Sequence, residues 1–149
     1  MQHSPARVRL IRFVTRLHET IFRVSGGRVL GHAAGMPVVM LTTTGRRSGR
    51  KHTSMLTTPA RLGDGIVLVA SYGGNDRHPA WFLNLQANPQ VDVVMRDRSG
   101  PMRARVASRE EKAALWPQVV AAYGDYAVYQ ERTERDIPLV VLEPATAHA

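Results

Sequence analysis

The chain has 149 residues, 44% hydrophobic and 21% charged, with no cysteine. That length fits one domain with its own core. The missing cysteine excludes disulfides, thiolate metal sites and thiol nucleophiles, and suits a reducing cytoplasm. No apolar run reaches the roughly 18 residues of a membrane helix, and the start Met1-Gln-His-Ser-Pro-Ala-Arg7 lacks an apolar signal core, so no secretory leader is expected.

The net charge of +8 is almost wholly arginine and is local. Residues 1–35 hold six arginines against the single acid Glu19; residues 46–51 hold Arg46, Arg47, Arg50 and Lys51; the rest is nearly balanced. An anionic partner is therefore sought in two places.

In chain order, residues 6–24 read as an amphipathic helix, with Val8, Ile11, Val14, Leu17 and Ile21 at helical spacing and arginines on the other face. Residues 25–36 read as a Gly-rich loop. Residues 38–44 form a β-branched strand, 45–49 a turn and 52–58 a return strand. A strand over 66–70 leads into a polar loop over 71–79 and a short helix over 80–86. Strands over 91–96 and 102–107 flank a turn at 97–101. Ser108 and Glu111 form a capping box opening a helix through about Ala122, with a kink or a short break expected at Pro117. A last strand covers 137–142. Short turns imply antiparallel pairing, and the missing βαβ alternation excludes a Rossmann sheet. The expected fold is mainly β (α+β), an antiparallel barrel with flanking helices.

Known signatures exclude several chemistries. Gly45-x-x-x-Gly49-Arg-Lys51-His52 is one residue short of a phosphate-loop motif and joins two strands, so no helix N-terminus receives a phosphate. The six histidines are scattered, His18-Glu19 lacks a second zincin histidine, and no Gly-x-Ser-x-Gly elbow occurs, so no metal centre or serine elbow is expected. Two clusters remain. Arg46, Arg47, Arg50, Lys51 and His52 crowd one turn, with Ser48 as an added hydroxyl donor, which reads either as an anion site with guanidinium forks or as a solvated basic turn. Tyr123, Tyr126 and Tyr129, at a spacing of three, and Tyr72, Trp81 and Phe82 read either as walls for a flat ligand or as ordinary core. The basic helix over 6–24 reads either as a contact with an anionic membrane surface or as packing on the barrel.

Four blocks carry a resemblance: Leu41-Thr-Thr-Thr-Gly-Arg-Arg-Ser-Gly49, Val69-Ala-Ser-Tyr-Gly-Gly74, Pro79-Ala-Trp-Phe-Leu-Asn-Leu-Gln-Ala-Asn-Pro89 and Tyr126-Ala-Val-Tyr-Gln-Glu-Arg-Thr-Glu-Arg-Asp-Ile-Pro138. In order and spacing they resemble the deazaflavin-dependent nitroreductase family, the F420-dependent oxidoreductases of actinobacteria. The resemblance implies a split β-barrel over residues 37–149, preceded by the basic helix and Gly-rich loop of 1–36. It implies coenzyme F420 (8-hydroxy-5-deazaflavin) as cofactor. It also implies hydride transfer to a quinone, a nitroaromatic or an activated alkene.

By the same resemblance, Arg47 and Ser48 match the phosphate-binding pair, with Arg46 and Lys51 beside them. His52 stands where relatives carry Arg. Ser71 matches a serine near ring and substrate, and Tyr72 replaces a Lys of some relatives. Ala80, Trp81 and Asn84 belong to a cofactor-lining stretch. Tyr126, with Tyr123 and Tyr129, matches the active-site tyrosines, and the proton comes from Tyr126, Ser71 or water. Apart from the resemblance, the missing cysteine points to the cytoplasm and the basic helix over 6–24 to a peripheral contact at the inner face of the cell membrane; related barrels are commonly homodimers. The rival readings are an FMN- or haem-binding barrel, a non-catalytic F420 carrier and a nucleic-acid binder. For the last, no recognised motif is present.

Overall fold

The computed structural model describes residues 32–145, so the helix predicted over 6–24 lies outside the described residues. Strands β1 (His32–Ala33), β2 (Met36–Thr44), β3 (Lys51–Thr57), β4 (Ala60–Leu62) and β5 (Gly65–Val69) come first. A 3-10 turn at Tyr72–Gly74 and helix α1 (Ala80–Ala87) follow, then β6 (Gln90–Val94) and β7 (Ser99–Val106). Helices α2 (Arg109–Ala122) and α3 (Asp125–Glu131) precede β8 (Leu139–Pro144). Every pairing is antiparallel, in the order β1-β2-β6-β7-β8-β5-β4 with β3 on β2.

This sheet curls into the expected split barrel. Its two ends meet after β3, where the buried Thr58 donates from its backbone to Pro37 O (3.0 Å) and from its hydroxyl to Val67 O (2.8 Å). One interior cluster gathers Val39, Leu41, Ile66, Leu68, Val93 and Leu142 around Trp81, Phe82 and Leu85 of α1. A second gathers Val67, Val69 and Leu139 against Leu115 and Val119 of α2 and Tyr126 of α3. β5 thus sends alternate side chains to two buried layers, which is why its sequence is apolar throughout rather than alternating. Each such side chain contributes roughly 1.5–3 kcal/mol, so α1 is bound to the barrel mainly by its three large apolar residues.

Four local expectations are corrected. Within the predicted loop over 25–36, Ala33 pairs with Met36 across a two-residue turn whose Ala34 and Gly35 have φ of 51° and 77°. Two positive φ values make the hairpin turn that matches strand twist, and alanine hides the usual Asn-Gly signal. The turn predicted over 97–101 is shorter: Met95 N donates to Arg98 O (2.7 Å), and β7 starts at Ser99. Helix α2 is not broken at Pro117: both the proline and Ala113, whose carbonyl it leaves without a helical donor, are exposed, so that carbonyl is not buried unpaired. Tyr123 is not on a helix with the other tyrosines. It ends α2 in extended backbone, with φ −154° and ψ 102°.

The capping box forms: Glu111 N donates to Ser108 Oγ (3.1 Å) and Ser108 N to Glu111 Oε1 (2.9 Å). Arg105 forks onto the same carboxylate at 2.7 and 2.8 Å. The Arg105 bonds, then the Ser108 backbone, pull the Glu111 carboxyl from 4.5 down to about 2. A depressed carboxyl stabilises the fold above its unfolded value and loses that contribution as pH falls through its folded value. Glu111→Gln is therefore expected to lose less stability than wild type between pH 4.5 and about 2, measured by urea unfolding. Parallel losses would remove Glu111 as a source of acid sensitivity.

Candidate active site

The turn between β2 and β3 is built on Gly45, whose N–H donates to Arg50 O (2.7 Å) and whose carbonyl accepts from Gly49 N (2.9 Å). A Cβ on Gly45 would lie 2.7 Å from Ser48 Oγ and 2.8 Å from His52 Nε2, so glycine lets hydroxyl and imidazole close over the turn. Asn84 of α1, almost fully buried, accepts at Oδ1 from both Arg46 N (3.2 Å) and Arg46 Nη1 (2.9 Å), and its Nδ2 donates to Thr43 Oγ1 (3.4 Å). This fixes an otherwise exposed guanidinium at the rim of a cleft of about 350 Å³. The cleft is lined by Arg46, Arg47, Ser48, His52, Ala80 and Trp81, among others. All its ionisable lining groups are basic.

The cleft continues. Ser54, Ala80 and Trp81 also line a second section, of about 480 Å³, with Leu56, Ser71, Tyr72 and Pro79. Leu56, Val69, Ser71 and Gly73 pass in turn into a third, of about 420 Å³, closed by Tyr123, Tyr126 and Tyr129. One groove thus runs along β3 from a basic end to an aromatic end. The three tyrosine rings meet edge to face, with centroids 5.2, 6.4 and 6.1 Å apart, the geometry that aromatic quadrupoles favour.

Tyr126 is buried and its hydroxyl lies 3.2 Å from Thr57 Oγ1. Burial, chiefly, pushes its pKa up, so the phenol keeps its proton at neutral pH. The neighbouring Asp125 carboxylate first, and Tyr129 second, also hold the Tyr123 phenol above its ordinary value. Gly74 brings the two walls of this end together: a Cβ there would lie 2.8 Å from Tyr129 O and 2.9 Å from Arg132 Cβ.

Of the residues singled out in the sequence, Arg46, Arg47, Ser48, His52, Ser71, Tyr72, Ala80, Trp81, Tyr123, Tyr126 and Tyr129 all line the groove, and Asn84 lies under its basic end. Lys51 does not line it; its ammonium donates to Thr44 Oγ1 (2.9 Å) on the neighbouring strand. Tyr72 is 59% exposed with φ 45° and stands at the rim. Sequence reasoning passed over Ser54, Leu56 and Thr57, which line the groove from β3. Their only signal is strand periodicity, which does not say that this edge of the strand faces a cleft. Among the described residues no group of three or more metal-ligating side chains occurs, and no helix is long and apolar enough to cross a membrane.

Comparison with known proteins agrees with this geometry. An F420H(2)-dependent quinone reductase of Mycobacterium tuberculosis is 40% identical over 136 residues, 85% of this chain and 87% of that protein. The solved structure of an F420-H2 dependent reductase superposes with a TM-score of 0.64 at 41% identity, covering 72% of this chain and 94% of that one. A structure described as a domain-swapped dimer superposes with a TM-score of 0.67 at 36% identity, covering 89% and 98%. Residues 14–144 match the family model of F420H(2)-dependent quinone reductases, and the chain belongs to that family.

Proposed function

We propose that the groove binds coenzyme F420 with its anionic tail at the Arg46–His52 turn and its ring beside Ser71 and Tyr126, and that a quinone is reduced at the tyrosine end. The observation that carries this is one continuous groove with two chemically opposite ends. The donor set fits the cofactor. Guanidinium forks, a serine hydroxyl and an imidazole suit phosphate and carboxylate oxygens, and an aromatic, largely apolar end suits a flat ring.

When bound, the deazaflavin supplies the hydride. The protein's own residues do the rest. Arg46, held by Asn84, and Arg47 anchor the tail and so set the register of the ring along β3. Leu56, Val69 and the tyrosine rings keep the reacting end dry. The Tyr126 phenol, kept protonated by burial and oriented by Thr57, donates a hydrogen bond to an acceptor oxygen at that end and is placed to pass it a proton.

Trp81 lines the groove, whereas Trp116 lies on α2 outside it, with Lys112 Nζ 4.9 Å from its ring centroid. Titration with F420 is expected to quench Trp81 fluorescence, to persist in Trp116→Phe and to vanish in Trp81→Phe. FMN titrated in parallel is expected to quench weakly, and a preference for FMN would contradict the reading. A haem- or FMN-binding barrel would also be isolated coloured. Asn84→Ala frees the Arg46 guanidinium, and the lost charge-assisted bond is expected to weaken F420 binding about tenfold. Unchanged affinity would show that Arg46 needs no anchor.

Three finer readings belong to the same proposal. A nitroaromatic serves as a second acceptor, since it is also flat and electrophilic; a turnover screen against menadione tests it. Residues 6–24 hold the enzyme at an anionic membrane surface, where quinones dissolve; deleting residues 1–24 without changing liposome binding would remove that idea. The chain forms a homodimer, supported by the relative described as a domain-swapped dimer; sedimentation equilibrium tests it.

A further inference from the structure

We infer that Arg135 is a positioning residue for this site, fixing from behind the Ser71–Asn75 turn at which the two apolar sections of the groove join. The inference rests on the groove being the F420 and quinone site. Arg135 lies between α3 and β8, and its guanidinium reaches across to four acceptors on the 70–78 segment. Nε donates to Asn75 O (2.8 Å), and Nη2 to Ala70 O (3.1 Å) and Ser71 O (2.9 Å). Nη1 lies 3.2 Å from His78 Nδ1. Arginine has no acceptor, so His78 Nδ1 carries no proton in this arrangement and accepts.

The turn it holds has a backbone that residues with a side chain rarely adopt. Tyr72, Gly73 and Gly74 have φ of 45°, 63° and 83°, three successive left-handed residues. Such backbone persists only where its surroundings over-determine it. Within the turn, Gly74 N donates to Ser71 O (2.9 Å) and Asn75 N to Tyr72 O (3.1 Å). From outside the turn, Arg132 Nη1 donates to Gly73 O (3.4 Å), while Arg135 holds the carbonyls at either end and fills the second lone pair of Ser71 O. Arg135 is itself pinned. Gln130 Nε2 donates to its carbonyl (2.8 Å), and its N–H donates to Thr133 Oγ1 (3.3 Å), whose hydroxyl donates to Asp76 (2.8 Å).

Two consequences separate this role from a general structural one. Three of the four contacts end on main-chain carbonyls at the ring end of the groove, whereas the tail end is built on Gly45 and Asn84. Loss of Arg135 should therefore spare cofactor affinity and impair turnover. Lysine should not replace it, because one ammonium cannot serve the three carbonyls and the imidazole that the planar fork spans.

The test compares Arg135→Ala, Arg135→Lys and wild type. In unliganded protein, hydrogen exchange is expected to rise in residues 71–76 of both variants and not in β5 or β8. In steady state with menadione, kcat is expected to fall on the order of a hundredfold, as displacement of a positioning turn costs, with the F420 Kd within about threefold. Ethylguanidinium is expected to restore part of the lost turnover in Arg135→Ala. The inference is overturned if exchange in 71–76 is unchanged, if exchange rises equally through the core strands, or if Arg135→Lys behaves as wild type. If Arg135→Ala does not fold, Arg135→Lys carries the exchange and kinetic arms alone. Wild type that neither binds F420 nor reduces menadione would sink the functional reading, while the exchange arm would still decide whether Arg135 holds the turn.

Discussion

Gly74→Ala is expected to destabilise the fold by about 3 kcal/mol or more, the combined cost of left-handed backbone at a residue with a Cβ and of forced overpacking. Turnover is expected to fall on the order of a hundredfold, because both walls of the ring end must separate. The new Cβ would lie 2.8 Å from the backbone carbonyl of Tyr129, which cannot rotate away as a side chain would. Gly73→Ala is the control. Gly73 also has positive φ, 63°, but a Cβ there meets nothing within 4 Å. Its cost should be about 1 kcal/mol of backbone strain alone. Chemical denaturation of the two variants decides the matter: equal losses would mean that the approach of α3 to the Ser71 turn is not what requires glycine.

The second large effect lies at the other end. Arg46→Ala with Arg47→Ala is expected to weaken F420 binding by roughly a hundredfold to ten-thousandfold, since hydrogen bonds to charged groups contribute about 1.5–3 kcal/mol each. The salt dependence of F420 affinity should flatten in the double variant, and acceptor preference should stay unchanged. Lys51→Ala should do far less, because that ammonium is bonded to Thr44 and does not line the cleft. Fluorescence titration over a range of salt reads all three. A shifted acceptor profile with normal cofactor affinity would mean that the two ends of the groove are assigned the wrong way round.

Both results depend on residues legible in the chain to different degrees. The glycine-flanked arginine turn announced itself by composition, because four cationic residues within 46–51 stand against a nearly balanced remainder. The capping box at Ser108 and Glu111 was equally local, a pattern of fixed spacing whose bonds form within one helical turn. The apolar runs of β5 and β8 signalled burial on both faces, though not what covers each face.

Other features had no local signature. Tyr123, Tyr126 and Tyr129 share a site without sharing a helix; their rings meet because α2 ends where α3 begins. Asn84 has no spacing relation to Arg46, and only the seating of α1 in the barrel mouth makes them partners. Arg135 lies more than sixty residues from the Ser71 turn it clamps. The sequence by itself determined six of the eight strands, the capping box, the basic turn and the family, because propensity, charge and motif spacing act over a few residues. Only the tertiary structure decided that basic turn and tyrosines are the two ends of one groove, that Lys51 stands outside it and that Arg135 stands behind it. Those relations depend on how an antiparallel sheet curls and which loops meet at its rim, and contacts between distant segments leave no periodicity in the chain.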